Sequence, residues 1–319
     1  MNRFVQAIFL ATVVASNAAM AQAPAYPSRT IKILVPAAPS ASEATARHIA
    51  IKLSETLGQA VSVENRPGGG GQIAINALLA SPPDGYTFLI TPNVLTIAPV
   101  VIKNLSYDPL RDLAPLGRLG YGTFVLVTNP DLPVKSLDDL VALARSKPGE
   151  LNFGSPGEGT PQFFSMEYIR QARGYEVTYI PTLSPTTIIE TAAGRIHAGV
   201  YTLAQVLPLA RAGKLRILAT IGTARSPAIP EIPSIKEAGI DGLESPWIGM
   251  FAPGRTPPEI INRVSREVLA IMATSEAYDL LIKQGVPVAI ASPDEFQAQI
   301  KRELEMFKQV GARSGIQAK

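Results

Sequence analysis

Apolar residues along this chain follow two spacings: short continuous runs, and runs that recur every three to four residues. Thr30–Pro36 (TIKILVP) and Ala60–Glu64 (AVSVE) are short runs rich in β-branched residues, which predict buried strands. Between them, apolar residues recur at helical spacing from Ala46 to Leu57, which predicts a helix. Because strands and helices alternate in this way along most of the chain, the pattern predicts an α/β fold with mostly parallel sheets.

The remaining elements are predicted by the same two spacings. Strands are predicted at Tyr86–Ile90, Leu151–Gly154, Glu176–Ile180, Ala198–Thr202, Leu215–Ile221 and Trp247–Ala252. Helices are predicted at Gln72–Ala80, Ser136–Ser146, Thr160–Arg173, Ser184–Gly194, Gln205–Gly213, Pro257–Ala273 and Pro293–Gly311. Thr256 and Ser292 are each followed by Pro and, three residues on, by Glu, so we predict them as N-caps of the last two helices.

The N-terminal segment is typical of a secretory signal peptide. Arg3 is the only charge in the first 21 residues, an apolar run spans Phe4–Val14, and Ala19-Met20-Ala21 fits a cleavage site. The run is shorter than the roughly 20 apolar residues of a membrane-spanning helix, and the alternative is a buried N-terminal helix. We therefore expect a periplasmic protein with a signal peptide at 1–21 and, without any Cys, no lipid anchor.

Composition narrows the class of protein further. The chain has 29 Lys and Arg against 26 Asp and Glu, with no basic run, so we expect no nucleic-acid partner. The absence of Cys excludes disulfides, thiolate catalysis and Cys-ligated metal. The length predicts two domains, and we place the crossings near 122 and 246: one lobe spans 22–122 and 247–319, the other 123–246. We expect a monomer without cofactor or metal.

Residues suited to catalysis are scarce. His48 and His197 are the only histidines, they are isolated in sequence, and no G-x-S-x-G or P-loop motif is present. A Ser–His pair formed in the fold stays open as an alternative. The pattern favours a protein that is not an enzyme.

Two loops that lead from a strand into a helix are candidates for a ligand site. Pro36–Glu43 (PAAPSASE) contains a capping box of Ser40 and Glu43, and Gly154–Thr160 (GSPGEGT) ends in a predicted N-cap, Thr160. Backbone N–H groups at a helix N-terminus favour an anion, and α/β folds bind ligands at such loops. Gly68–Gly71 also opens a helix, but its spacing favours a tight turn over a dinucleotide site.

Motifs along nearly the whole chain resemble the Bug family, the periplasmic receptors of tripartite tricarboxylate transporters. They are the opening YP with ILVP, GQAVSVENRPG at 58–68, PPDGYT at 82–87, YDPLRDL at 107–113, KPGELNF at 147–153, AGKLRIL at 212–218, Arg225–Pro233, Glu237–Gly239 and WIGMFAPGRTP at 247–257. The resemblance implies a type II periplasmic-binding-protein fold, in which two α/β lobes close around a ligand and engage a membrane permease. It also implies a small carboxylate ligand held largely by backbone N–H groups of the two loops.

The sequence departs from the family pattern at the expected pocket. In the first loop the family's Phe and Gly pair are replaced by Ala37, Ala38, Ser40 and Ala41, and Glu43 stands where Asp is usual. Farther along the chain, Phe163 replaces a frequent His and Tyr201 replaces a common Asp. The family's Tyr-Lys-Gly is replaced by Thr182-Leu183-Ser184. The change from polar to aromatic side chains favours an aromatic or apolar-tailed acid over citrate. The expected ligand-binding residues are Ala37, Ala38, Ser40, Ala41, Ser42, Ser155, Gly157, Gly159, Thr160, Phe163, Thr182 and Tyr201.

The sequence leaves two other functions open. One is a periplasmic sensor that presents the same kind of ligand to a signalling protein. The other is a periplasmic hydrolase.

The signal-peptide interpretation predicts that the exported protein begins at or next to Gln22. N-terminal sequencing of protein recovered from the periplasm checks this, since cleavage follows small residues such as Ala21. Recovered protein that still begins at Met1 would contradict it.

Overall fold

Two β-sheets, each covered by helices, organise the chain. The computed structural model describes residues 26–36, 40–155, 157, 159–181, 186–283, 286–316 and 318. The proposed signal peptide lies outside these residues. Among the described helices, none is long and apolar enough to cross a bilayer.

The first sheet has six strands in the order β11-β4-β10-β3-β1-β2. Its strands are β1 (Ile31–Val35), β2 (Val61–Asn65), β3 (Thr87–Pro92), β4 (Leu113–Tyr121), β10 (Trp247–Pro253) and β11 (Val288–Ala291). β1 pairs in parallel with β2 and β3, with Ile31 opposite Val61 and Lys32 opposite Thr87. β10 pairs antiparallel with both β3 and β4, and β11 pairs antiparallel with β4.

The second sheet has five strands in the order β7-β6-β8-β5-β9. They are β5 (Phe124–Thr128), β6 (Asn152–Ser155), β7 (Thr178–Pro181), β8 (Ala198–Thr202) and β9 (Arg216–Thr220). β6 is parallel to β7 and β8, whereas β5 is antiparallel to β8 and β9.

Ten α-helices are described around these sheets. They are α1 (Ala41–Leu57), α2 (Gln72–Leu79), α3 (Val94–Val101), α4 (Leu137–Ser146), α5 (Pro161–Arg173), α6 (Thr186–Ala192), α7 (Leu203–Arg211), α8 (Pro258–Met272), α9 (Ser275–Lys283) and α10 (Pro293–Arg313). Each sheet has its own apolar core; Ile49 and Leu53 of α1 are fully buried in the first, and Leu140 of α4 in the second. Burial of such side chains is the main favourable contribution to folding.

The chain passes between the sheets twice, and the two passages lie side by side. β4 ends at Tyr121 and β5 begins at Phe124, while β10 begins at Trp247 after the long return from β9. The backbone N–H of Gly122 donates to the carbonyl of Pro246 at 2.6 Å, which joins the two passages. The chain therefore passes from one sheet to the other near 122 and 246. The division into lobes at these residues remains a prediction.

Several sequence predictions are confirmed and two are wrong. The α/β fold is confirmed, and Ser292 forms the predicted capping box with Glu295. The prediction of mostly parallel sheets is wrong, because β5, β10 and β4 run antiparallel to their neighbours. Thr256 does not cap α8, which has Pro257 at the N-cap position and no side-chain cap. Elements α3, α9, β4, β5 and β11 were not delimited by the sequence pattern, since their apolar residues are nearly continuous or the element is short.

The last helix, α10, packs on elements of both sheets. Gly311 approaches α3 so closely that an added Cβ would lie 2.2 Å from Val100 Cγ1. On the other side, Phe307 packs against Phe164 of α5 with ring centroids 5.2 Å apart, and Gln171 of α5 donates to the carbonyl of Val310 at 3.0 Å. The C-terminal helix thus connects the two halves of the molecule beside the chain crossings.

We expect Gly311→Ala to destabilise the protein. In an open helix interior this change would stabilise by about 1 kcal/mol, but overpacking against Val100 costs about 1–3 kcal/mol. Denaturant unfolding measures the effect. The double variant Gly311→Ala with Val100→Ala should lose less stability than the sum of the single variants, and strict additivity would contradict the proposed contact.

Candidate functional site

A cavity of about 410 Å³ lies between the two sheets, beside both chain crossings. The six-stranded side and the crossings contribute Ser40, Ala41, Ser42, Pro92, Asn93, Val94, Gly122, Thr123, Pro246, Trp247, Ile248 and Val286. The five-stranded side contributes Phe124, Pro161, Gln162, Thr202, Ala204 and Gln205. A cavity of this size, open to both halves of the molecule, suits a small-molecule ligand.

Four helices point their N-termini at this cavity. Ser40 to Ser42 begin α1 and Asn93 precedes α3, while Pro161 begins α5 and Thr202 precedes α7. The first N–H groups of a helix have no partner within the helix, and the N-terminus carries roughly half a positive charge. Four such ends favour an anion, with each end contributing roughly 0.3–1 kcal/mol and more when partly buried.

Local sequence determines where two of these helices begin. The Ser40 hydroxyl accepts a hydrogen bond from the Glu43 backbone N–H at 3.1 Å. The Thr160 hydroxyl accepts from Phe163 N–H at 3.3 Å, and Pro161 occupies the first helical turn. The predicted caps at Ser40 and Thr160 are therefore confirmed, and they place both helix ends at the cavity.

The described residues around the cavity carry no charged side chain. Glu43 lies in the first turn of α1, and its carboxylate is hydrogen-bonded to other side chains. It accepts from Arg47 at 2.7 Å and from Asn65 at 3.2 Å. These hydrogen bonds, with Arg47 the larger cause, hold the pKa of Glu43 below its ordinary value. Any attraction for an anion therefore comes from backbone dipoles and neutral polar side chains.

Asn93 is a polar side chain of this cavity without a described partner. It is 3% exposed, and its Oδ1 has no hydrogen-bond partner among the described residues. Its side chain does not cap α3. A buried amide oxygen without a partner is costly, so Asn93 lowers the stability of this part of the fold.

The opposite wall is apolar. Trp247 is fully buried, and Phe124 and Ile248 are 8% and 5% exposed. The indole N–H of Trp247 points away from the cavity wall to the Glu303 carboxyl, to which it donates at 2.7 Å. The cavity thus combines helix N-termini for an acidic group with apolar surface for a hydrocarbon part.

Nine of the twelve residues expected to bind a ligand fall into three groups. Ser40, Ala41 and Ser42 line the cavity between the sheets. Ser155, Gly157 and Phe163 instead line a second cavity of about 410 Å³, formed by α5, β7 and the chain at 314–316. Ala37, Ala38 and Thr182 lie outside the described residues.

Two further expected residues lie close to the first cavity without lining it. Thr160 caps α5, and its hydroxyl donates to the Gly157 carbonyl at 2.7 Å. A Cβ at Gly159 would lie 3.8 Å from Val101 of α3, so this loop approaches the first sheet's helices. The second loop therefore places the start of α5 at the cavity, although its residues Ser155 and Gly157 line the second cavity.

Tyr201 lies in the core of the second sheet and does not line either cavity. It is 1% exposed, and its hydroxyl shares a hydrogen bond with Thr191 at 2.9 Å. Burial raises its pKa to about 12. Because β8 alternates its side chains between the two faces of the sheet, the side chain at 201 points into the core while Thr202, one residue on, reaches the cavity.

The histidines have structural surroundings. His48 is 7% exposed in α1, and burial lowers its pKa. His197 Nδ1 accepts from the Asn152 backbone N–H at 2.8 Å in the second sheet. Within the described part of the chain no group of three or more acidic or His side chains could hold a metal.

Sequence reasoning missed two of the four helix ends. The segment Val94–Val101 is apolar except for Thr96, so its spacing does not distinguish a helix from a strand. Asn93 and Thr202 are residue types that favour N-cap positions, and this was the available signal. Trp247 was assigned to a strand, but its place at the cavity depends on the crossing of the chain.

A family described as tripartite tricarboxylate transporter family receptor matches residues 45–315. Protein BugT of Bordetella pertussis is 33% identical over 317 residues, covering 98% of this chain and 97% of that protein. A solved R. palustris protein with adipate is 31% identical with a TM-score of 0.77, over 92% of this chain and 100% of that one. MatC from Rhodopseudomonas palustris with bound malate is 25% identical with a TM-score of 0.72, over 90% and 100% of the two chains. The resemblance seen in the sequence motifs is confirmed: this chain belongs to the tripartite tricarboxylate transporter receptor family.

Proposed function

We propose that this protein is a periplasmic receptor that binds a small carboxylate in the cavity between its sheets and presents it to a transporter permease. The observation that carries the proposal is the meeting of four helix N-termini at a cavity whose described lining has no charged side chain. Backbone N–H groups bind carboxylates in such sites without a Lys or Arg.

The ligand class is supported by relatives and by the cavity wall. Adipate and malate, named with two of the solved relatives, are both dicarboxylates. The apolar residues of the lining that keep some exposure, such as Val94 and Phe124, would suit the hydrocarbon part of such an acid, or an aromatic acid. Membership of a receptor family supports binding over catalysis, and hydrolysis would appear as an outcome of the first experiment below.

A first experiment measures thermal stability with monocarboxylates, adipate, malate, citrate and aromatic acids. A ligand at about 100 times its dissociation constant stabilises the native state by about 2.7 kcal/mol. We expect at least one dicarboxylate or aromatic acid to do so, with calorimetry giving its affinity. Turnover of ester, amide or phosphate substrates above the blank would favour the hydrolase alternative instead.

Ala204→Trp tests whether the cavity between the sheets is the site. Ala204 is exposed at the start of α7 and lines the cavity, so an indole there should exclude ligand without disturbing the core. We expect at least about tenfold weaker binding of the acid identified by calorimetry.

Ala212→Trp is the matched control at the other end of the same helix, where the residue is also exposed. It should bind with unchanged affinity. Equal affinity in both variants would place the ligand elsewhere.

Phe163→Ala tests the second part of the expected site. Phe163 is 7% exposed and packs on Tyr179 and Phe164 with centroid distances of 5.0 and 5.9 Å. We expect a loss of roughly 3–5 kcal/mol in unfolding free energy from lost packing. If Phe163 also stacks on an aromatic ligand, its loss should weaken that ligand by about 1–3 kcal/mol.

Phe164→Ala is the control for this stability effect, because Phe164 is fully buried beside Phe163 but lines neither cavity. Weaker aromatic-acid binding in Phe163→Ala alone would support direct contact. Equal weakening in both variants, or in neither, would exclude it.

A further inference from the structure

A buried carboxyl group, Glu303 of α10, lies directly behind the wall of the proposed site. Its residue is 4% exposed. Oε1 accepts from the Trp247 indole N–H at 2.7 Å and lies 3.3 Å from the Gln299 side-chain nitrogen. Oε2 lies 3.2 Å from the Thr96 hydroxyl of α3. Glu303 therefore touches the two elements, β10 and α3, that carry Trp247 and Asn93 into the cavity.

No cationic side chain of the described residues contacts this carboxyl directly. Arg118 of β4 donates to the Gln299 side-chain oxygen at 2.6 Å, and the Gln299 nitrogen donates to Glu244 at 2.6 Å. Arg302 lies 3.6 Å from Glu244. The other titratable groups on elements around Glu303 are Tyr121 of β4, Tyr168 of α5, and Lys301, Glu305 and Arg313 of α10. Gln299 thus links Glu303 both to Arg118 and to a second carboxylate, Glu244, and the Glu244 charge opposes ionisation of Glu303.

The Thr96 hydroxyl indicates where a proton must lie. It is 2.7 Å from the carbonyl oxygen of Asn93 and 3.2 Å from Glu303 Oε2. A hydroxyl has one hydrogen, and a carbonyl oxygen can only accept. Because the shorter contact is to the carbonyl, the hydroxyl hydrogen lies there. A protonated Glu303 carboxyl, with its O–H directed at the hydroxyl oxygen, would accommodate the remaining 3.2 Å contact between Thr96 Oγ1 and Glu303 Oε2.

We propose that Glu303 is protonated in the binding-competent structure and acts as a positioning residue, and that loss of its proton loosens the Asn93 and Trp247 walls of the cavity. The O–H of Glu303 donates to Thr96, and the Thr96 hydroxyl donates to the Asn93 carbonyl at the start of α3. Ionised Glu303 would instead compete for the Thr96 hydrogen and place a second negative charge beside Glu244. As far as ligand affinity is concerned, this inference rests on the proposed function.

The direction of the pH dependence follows from the surroundings. Burial, followed by the Glu244 charge, raises the pKa of Glu303 to about 8 in the folded protein. In an unfolded chain a Glu carboxyl ionises near its ordinary value of about 4.3. The protonated group therefore stabilises the fold fully at low pH, and this contribution is lost as pH rises through the folded pKa.

Trp247 offers a readout that needs no ligand, since it is the only tryptophan of the chain and bonds to Glu303. We expect its fluorescence to titrate with a midpoint near the folded pKa of Glu303 when pH is raised from about 6 to about 9.5. Glu303→Gln keeps a donor and an acceptor in place without a charge and should abolish the transition. Glu305→Gln, an exposed change on the same helix, should leave it intact. Absence of a transition in the unmodified protein would overturn the proposal.

Affinity tests the link to the cavity, with adipate and malate as probes. At about pH 9 about one tenth of Glu303 would be protonated, so affinity should fall about tenfold from its value at about pH 6. Glu303→Gln should bind equally at both values. Thr96→Val removes the hydroxyl that links Glu303 to Asn93, so it should keep the fluorescence transition and reduce the pH dependence of binding. The same variant tests the link to the cavity if Glu303→Gln does not fold.

The outcomes separate this inference from the proposed function. A fluorescence transition with pH-independent affinity would overturn the positioning role while leaving the receptor function intact. If neither acid binds at any pH, hydrogen exchange of the amides at 93–96 decides instead. A protection factor, which corrects for the intrinsic rise of exchange with pH, that falls above the fluorescence midpoint in the unmodified protein but not in Glu303→Gln supports the inference. A protection factor that stays unchanged overturns it.

Discussion

The proposed site depends on one electrostatic constraint: an anion between two protein layers must be compensated without water. The described cavity lining provides no Lys or Arg for this purpose, so compensation would come from the N-termini of four helices. Such ends are fixed in place by the strands that precede them. The two sheets therefore serve the site mainly by holding α1, α3, α5 and α7 with their first turns toward one another.

The same arrangement explains why the two chain crossings lie at the cavity. Gly122 and Pro246 are joined by a backbone hydrogen bond, and both line the space between the sheets. Few covalent connections join the halves, which is the geometry in which hinge closure occurs. The C-terminal helix adds a third connection, because it packs on α3 through Gly311 and on α5 through Phe307 and Val310. Any relative movement of the halves must accommodate these contacts.

The buried polar groups behind the cavity are connected in a single network. Glu303, Gln299 and Glu244 link α10 to the return crossing, and Thr96 links α10 to the start of α3. Burial of a carboxyl group costs free energy unless the group is hydrogen-bonded, and the partners of Glu303 belong to elements of the cavity wall. This network lets residues far from the cavity in sequence influence its shape.

Particular elements indicate how far the sequence could be interpreted. By itself it determined the α/β class, most strands and helices, the caps at Ser40, Thr160 and Ser292, and the family, because these depend on local spacing and on motifs. It could not delimit α3, whose residues are apolar except for Thr96, nor predict the antiparallel pairing of β10, which depends on how the chain returns. It also could not decide which expected residues would share a cavity. Ser42 and Gln162, which are 120 positions apart, line the same cavity. Tyr201 instead lies in a core, and Phe163 lines the other cavity. Local spacing determines which face of an element is apolar, but only the packing of elements distant in sequence decides which helix ends meet and which polar groups are buried together.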